Sequence, residues 1–314
     1  PTVRDRVVQT ALLRVIEPIF EREFAEQSYG FRPQRGCKDA LRRVDQLLKA
    51  GHVHVVDADL KSYFDTIPHQ KMMERVKEKI RDSRVLNLIE MYMKQDVLDG
   101  LESWTPDEGS PQGAVISPLL SNVYLNPLDH LMAEAGLEMV RYADDFVILC
   151  KSSGEASRAL QLVQAWVAEH GLVLHPEKTR VVDSTQRGFE FLGYRFIKHR
   201  RYPRRKSMQK FKDAIRAKTR RTNGRSLTCI IADVNRTLAG WFEYFQHTSA
   251  TTFRRLDQFV RQRLRAILLK RLKRKLRGPP RGLSYTRWTI AYFNEQGLFN
   301  LTTALTRKRQ SLAR

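Results

Sequence analysis

The chain of 314 residues has little cysteine, and Cys37, Cys150 and Cys229 are odd in number and far apart. That spacing fits neither a disulfide framework nor a zinc ribbon, so a reducing cytoplasm is the expected setting. No stretch approaches the roughly 20 apolar residues that a spanning helix needs, and the first thirty residues hold no apolar signal core. A soluble, unsecreted protein with no membrane partner is expected. No internal repeat or long low-complexity tract is visible, which argues against a solenoid. Hydrophobic residues make up 42% of the chain, ordinary for a globular protein and too many for a disordered one.

Acidic residues are scarce in one place only. Residues 198 to 282 hold 26 Lys and Arg against 4 Asp and Glu, while the remainder holds 30 of each, so the net charge of +22 lies wholly in that segment. A block of this kind points to a polyanion, either nucleic acid or an anionic membrane surface. The charge step also suggests a domain boundary, with residues 1–197 in one part, 198–314 in the other, and KHRRYPRRK at 198 to 206 connecting them.

The first part alternates strand-like and helical pieces. HVHVVDADL at 52 to 60 is β-branched and apolar, which predicts a buried strand ending at Asp59. FDTIPHQKMMERVKEKI then predicts a helix with Pro68 near its first turn. RYADDFVILC suits two short strands joined by a tight turn, although Ala-Asp is a weaker hairpin signal than Asn-Gly. The spacing from Leu160 through Val163 and Val167 predicts a helix over 154 to 172 that covers one face of the sheet.

Two adjacent carboxylates, Asp144 and Asp145, inside an apolar run demand compensation by positive charge, water or metal. If their strand neighbours that of Asp59, then Asp59 and Asp144 face one another. Three carboxylates with no His or Cys nearby make a hard oxygen site suited to Mg²⁺. Two such ions would serve in-line phosphoryl transfer. Taken alone, Asp-Asp more often marks a solvated turn.

Seven segments in order change that weighting: PTVRDRVVQTALLRVIEPIFE, SYGFRPQRGCKDAL, VVDADLKSYFDTIPH, GSPQGAVISPLLSNVYLNPLD, RYADDFVILC, HPEKT and FEFLGYRF. Together they resemble the successive blocks of the reverse transcriptases encoded by group II introns. The resemblance implies an α+β fold, a right-hand polymerase whose fingers and palm carry an antiparallel sheet, followed by an α-helical thumb or maturase X domain. It implies two Mg²⁺ ions held by Asp59, Asp144 and Asp145, with the backbone at Leu60 assisting. Phe64 matches the aromatic that stacks under the incoming sugar and selects dNTP over rNTP. Gln112 in GSPQG resembles the residue lying against template and nucleotide, although Ala114 stands where the family usually has a second glycine. Arg32 and Arg35 resemble fingers residues that contact triphosphate or template. Lys178 resembles the lysine near the leaving pyrophosphate, and His175 replaces an Asn common there. Phe191, Leu192 and Gly193 resemble the primer grip.

In the second part, Phe253, Leu256, Val260, Leu264, Ile267, Leu268, Leu272 and Leu276 form a helical stripe ended by Gly278-Pro279-Pro280. A helix over 235 to 248, carrying Trp241, Phe242 and Phe245, is expected to pack beneath it. The basic residues Arg204, Arg205, Lys206, Arg261, Arg265, Arg271, Lys273, Arg274 and Lys275 are the candidate grip on phosphates. The resemblance implies intron RNA, an RNA template with a DNA primer, dNTPs and target DNA as partners, with a role in splicing; it leaves the oligomeric state open. The opening PTVRDRVVQ matches the interior of the family's first block. The tail resembles the end of the X domain, with no His and Cys cluster of a nuclease after it, so no endonuclease activity is expected in this chain. Two alternatives stay open: a polymerase-inactive splicing cofactor, and a domesticated relative in defence or DNA repair.

Overall fold

A computed structural model of the chain describes residues 2–312 apart from 96, 100, 101, 105–107, 111, 112, 199 and 273–284. The chain divides into two compact units. One comprises Pro1–Leu192 with Ile197–His199, and the other comprises Gly193–Phe196 with Arg200–Arg314.

The first unit opens with α1 (Val3–Glu21), started by a capping box in which Thr2 and Asp5 satisfy each other's backbone N–H groups. There follow α2 (Cys37–Lys49), β1 (His54–Asp59), α3 (Tyr63–Thr66), α4 (His69–Lys77), α5 (Ser83–Met93), the short hairpin β2 (Val97–Asp99) and β3 (Glu102–Trp104), and α6 (Ser117–Glu134). Next come β4 (Glu138–Tyr142), β5 (Asp145–Cys150), α7 (Ser153–Glu169), β6 (Arg180–Asp183) and β7 (Phe189–Phe191). The helix expected after β1 is broken in two at Pro68, which becomes the N-cap of α4 and leaves Ile67 extended at ψ 117°. A proline disfavours helical geometry in the residue before it, so the chain restarts rather than continues.

Four strands form an antiparallel sheet in the order β4-β5-β1-β6. From Phe146 to Cys150, every residue of β5 is buried. Val56 and Ala58 of β1 share a core with Phe146, Ile148 and Cys150 of β5 and with Ala156, Ala159, Val163 and Trp166 of α7. Because side chains alternate along a strand, Asp57, Asp59 and Asp145 lie on the opposite face. Helix α6 runs through this core with Leu120, Leu125, Leu128 and Met132 wholly buried.

The second unit holds β8 (Tyr194–Ile197), β9 (Arg200–Pro203), α8 (Arg205–Lys218), α9 (Leu227–Phe245), α10 (Ala250–Arg271), α11 (Ile290–Glu295) and α12 (Leu301–Leu312). Its separate core joins Phe211, Ile230, Val234, Leu238, Phe253, Val260, Leu264, Ile267, Phe293 and Leu301. Of the aromatics expected to pack beneath the stripe, Phe242 and Phe245 are buried and Trp241 packs against the cluster. Asp257 of α10 caps the start of α12, accepting from the N–H groups of Leu301 (2.9 Å) and Thr302 (3.0 Å). Among the described residues no helix is long and apolar enough to cross a membrane.

Candidate active site and nucleic-acid interface

The antiparallel register sets Asp59 at the end of β1 directly opposite Asp145 at the start of β5, and Tyr142 opposite Asp145 on the other side. Directly opposed residues share a face of the sheet. Asp145 is therefore the carboxylate that lies beside Asp59. Asp144, expected to face Asp59, occupies the second position of the two-residue turn joining β4 to β5. Ala143, the first position, takes a left-handed φ of 59°.

Charge is distributed around Asp59 along the sheet. On its β6 side, Lys178 makes an ion pair with the Asp59 carboxylate. One rung further, Arg180 lies opposite Asp57 and bonds to its Oδ2 at 3.0 and 3.2 Å. The HPEKT segment is fastened beside β1 by the backbone: the His175 N–H donates to the Asp59 carbonyl at 2.7 Å, and the Lys61 N–H donates to that of Val173 at 2.8 Å. The His175 ring nitrogen Nδ1 accepts from the Glu177 N–H at 3.3 Å. This is the i to i+2 bond that an Asn side chain makes in an Asx turn, so the exchange of Asn for His preserves the local turn.

Burial raises the proton affinity of Asp145, Asp144 and Asp57. Burial pushes Asp145 up to about 7, with repulsion from Asp57, Asp144 and Asp59 adding to it and a hydrogen bond from the Leu192 N–H opposing it. Asp145 is nevertheless partly exposed, so solvent tempers both the burial and the repulsion. Asp144 is also raised, first by burial and then by Asp59, while Arg141 lowers it. Asp57 is raised by burial against the pull of Arg180.

Among the described residues no three His, Cys, Asp or Glu side chains already converge as a metal cage. The donor set is nonetheless one of hard carboxylate oxygens, and the raised proton affinities of Asp144 and Asp145 are what a divalent cation would relieve. By chemistry the residues fit Mg²⁺.

The remaining expected residues are distributed as follows. Phe64 is half-buried, with its ring against Tyr63 at 5.3 Å between centroids. Its carbonyl accepts from the Ser110 N–H at 2.6 Å. This anchors the start of the GSPQG segment, and Gly109 belongs there because a Cβ would sit 2.8 Å from the Asp65 carbonyl oxygen. Gln112 lies outside the described residues. Leu60 bridges to Leu174, while Phe191, Leu192 and Gly193 form the end of β7 and the turn after it. Arg32 turns inward: it pairs with Glu21 at 2.7 Å and donates to the Ala25 and Ser28 carbonyls. Arg35 donates to the Glu26 carbonyl at 2.7 Å and lies over the Tyr29 ring.

In the second unit, Arg205 and Lys206 are exposed at the start of α8. Arg204 and Arg261 are half-buried. Arg265 is only 5% exposed; it donates to the Trp288 carbonyl at 2.7 and 2.9 Å and lies 4.3 Å from the Tyr285 ring centre. Its guanidinium is occupied within the protein. Arg271 donates to the Asn223 and Arg225 carbonyls. Lys273, Arg274 and Lys275 lie outside the described residues. Lys210, Arg220, Arg221, Arg254, Arg255 and Lys270 are exposed basic residues that the sequence reading did not select.

Sequence reasoning also missed a polar network under the hairpin turn. Arg141 is wholly buried and makes a bidentate pair with Asp129 at 2.5 and 2.7 Å. Its Nη1 donates to Asn122 Oδ1 (2.9 Å) and to the Ala143 carbonyl (2.8 Å). An arginine flanked by apolar residues on a strand expected to be buried was a legible signal, because such a charge needs a partner.

Residues 1–196 match the family model described as reverse transcriptase (RNA-dependent DNA polymerase), and residues 208–281 match the group II intron maturase-specific domain. The protein YkfC of Escherichia coli K12 is 35% identical, over 64% of this chain and 62% of that protein. The group II intron-encoded protein LtrA of Lactococcus lactis is 34% identical over 45% of this chain and 23% of its own length. Nuclear intron maturase 2 of Arabidopsis thaliana is 28% identical over 60% and 30%. The chain thus spans less than two thirds of the length of these relatives. Apo telomerase from Candida tropicalis, at 12% identity and a TM-score of 0.51, covers 93% of this chain and 51% of that one, a likeness of fold alone. With its amino-terminal part matching the polymerase model and its basic part the group II intron maturase-specific model, the chain belongs to the reverse transcriptase family.

Proposed function

We propose that the chain is an RNA-directed DNA polymerase that extends a DNA primer on an RNA template with dNTPs, and that it also binds intron RNA and promotes its splicing. The observation that carries this reading is the meeting of Asp59 and Asp145 on adjacent strand ends, with Asp144 in the turn between β4 and β5. These three carboxylates would hold two Mg²⁺ ions together with the main chain at Leu60. When bound, such ions stabilise the attacking and leaving oxygens of an in-line phosphoryl transfer.

The other residues orient and discriminate. Phe64 forms the floor beneath the sugar of the incoming nucleotide and excludes a 2′-hydroxyl. Lys178 releases Asp59 and delivers a proton to the leaving pyrophosphate. Leu192, whose N–H bonds Asp145, ties the primer grip to the carboxylates. In the second unit, the exposed cations of α8 and α10 grip RNA phosphates, with the primer–template hybrid and target DNA as further polyanions for the same charge. The names of LtrA and of the Arabidopsis intron maturase support the intron setting.

Primer extension on an RNA template with Mg²⁺ tests the reading. The wild-type chain should extend the primer, and the double substitution Asp144→Ala with Asp145→Ala should abolish extension while leaving RNA affinity within about twofold, since it removes no phosphate contact. Equal extension by the double variant would end the metal assignment. RNA binding without extension by the wild type would leave only the splicing-cofactor reading.

A further inference from the structure

The buried guanidinium of Arg141 lies under the turn that carries the two adjacent carboxylates, and it is held by helix α6 and by the turn itself. Asp129 of α6 takes two of its donors and Asn122 of the same helix a third, while its Nη1 also reaches the Ala143 carbonyl inside the turn. Asn122 continues the chain by donating from Nδ2 to the Gly30 carbonyl at 2.8 Å. Gly30 itself presses against the turn from behind, since a Cβ there would sit 2.3 Å from the Ala143 nitrogen. Residues 27 to 29 complete the enclosure: the Arg141 N–H donates to the Gln27 carbonyl at 2.9 Å and the Tyr29 N–H to that of Arg141 at 2.8 Å.

A buried ion pair is often matched or exceeded in stability by apolar side chains of similar volume, so stability is a weaker account of it than structural specificity. What the pair specifies here is the conformation of Ala143, a residue with a Cβ at φ 59°. Left-handed geometry is rare for such a residue and persists where the surroundings over-determine it. Arginine suits the role because its planar fork can serve the Asp129 carboxylate, the Asn122 amide and the Ala143 carbonyl together, whereas a lysine ammonium is a single point on a flexible stem.

We propose that Arg141, relayed through Asn122 to Gly30, is a positioning residue that locks the β4–β5 turn so that the Asp144 and Asp145 carboxylates are presented together to divalent cations. The proposal rests on the reading of those carboxylates as metal ligands. It concerns the geometry of binding, so it is tested by metal affinity rather than by turnover alone.

The experiment titrates Mn²⁺ into the full chain and follows free Mn²⁺ by electron paramagnetic resonance, with circular dichroism melting and RNA affinity measured on the same samples. In the wild type, a Mn²⁺ site that disappears on Asp144→Ala with Asp145→Ala is expected. Arg141→Lys, which keeps the charge opposite Asp129 but shortens the reach to Ala143, should weaken that site about tenfold with RNA affinity unchanged. Asn122→Ala leaves the buried ion pair intact and should weaken the site in the same direction; it carries the test alone if Arg141→Lys fails to melt cooperatively. Folded variants that bind Mn²⁺ as the wild type does would overturn the proposal. A wild type with the Mn²⁺ site but no primer extension would defeat the polymerase reading and leave the brace standing. A wild type with no carboxylate-dependent Mn²⁺ site would overturn both.

Discussion

Asp257→Asn should loosen the start of α12 by a predictable amount. The Asp257 carboxylate is 4% exposed and takes three hydrogen bonds, from the Leu301 N–H to Oδ1 and from the Thr302 N–H and hydroxyl to Oδ2. An asparagine of the same shape can turn its one oxygen toward Thr302, but its NH₂ then faces the Leu301 N–H, donor against donor. Losing one bond to a charged acceptor costs about 1.5 to 3 kcal/mol, and the stranded buried donor adds about 1 to 3 kcal/mol before relaxation. Allowing for rearrangement, we expect about 2 to 4 kcal/mol of local opening free energy, with the loss of negative charge at a helix N-terminus acting in the same direction. Hydrogen–deuterium exchange of the first-turn amides of α12 reads this directly, and a change of that size speeds exchange by about 30- to 700-fold. Peptides from α7, in the other core, should exchange as before. Less than a threefold change at Leu301 and Thr302 would refute the assignment of Asp257 as the cap.

Other expectations follow from the site and its surroundings. Phe64→Val should admit ribonucleotides, seen as a rise in rNTP incorporation during primer extension; unchanged sugar discrimination removes Phe64 from the nucleotide floor. Neutralising Arg205, Lys206 and Lys210 together should flatten the log–log salt dependence of RNA binding by about 0.7 to 0.9 for each residue that meets a phosphate, and an unaltered slope places the grip elsewhere. In metal-free protein Asp145 holds its proton up to about 7 while an unfolded chain releases it near 3.8. The folded state therefore binds the extra proton between those values, and this group's contribution to stability falls as pH rises across that window. Asp145→Asn should remove that part of the slope in melting experiments between pH 4 and 7, and a slope identical to that of the wild type would argue against the raised affinity.

Much of the first unit was legible because its strands announce themselves. HVHVVDADL and RYADDFVILC became β1 and the β4–β5 hairpin, and the periodicity at Leu160, Val163 and Val167 became α7. Pattern could not tell which of the two adjacent acids lies beside Asp59. That depends on turn length, since a two-residue loop assigns Asp145 to the strand and Asp144 to the tip. In the second unit the apolar stripe was correct from Phe253 to Ile267, all buried where described. The cations between its members could not be sorted. Arg265 follows Leu264 directly, and it is buried because Trp288 and Phe293, more than twenty positions later, cover that side of α10. Arg141 escaped notice because its partners Asp129 and Asn122 meet it only through the packing of α6 on β4.

The pairing of Asp57 with Arg180 across β1 and β6 also guards strand alignment. Sliding β6 by one residue along β1 would bring Arg180 opposite Val56 or Ala58, side chains that point into the apolar core. Arg180 would then lose its acid and Asp57 its counter-charge, and the misaligned sheet would be penalised twice. An ion pair beside Asp59 therefore acts as a check on assembly, so that a sheet assembled in the wrong register would be unstable.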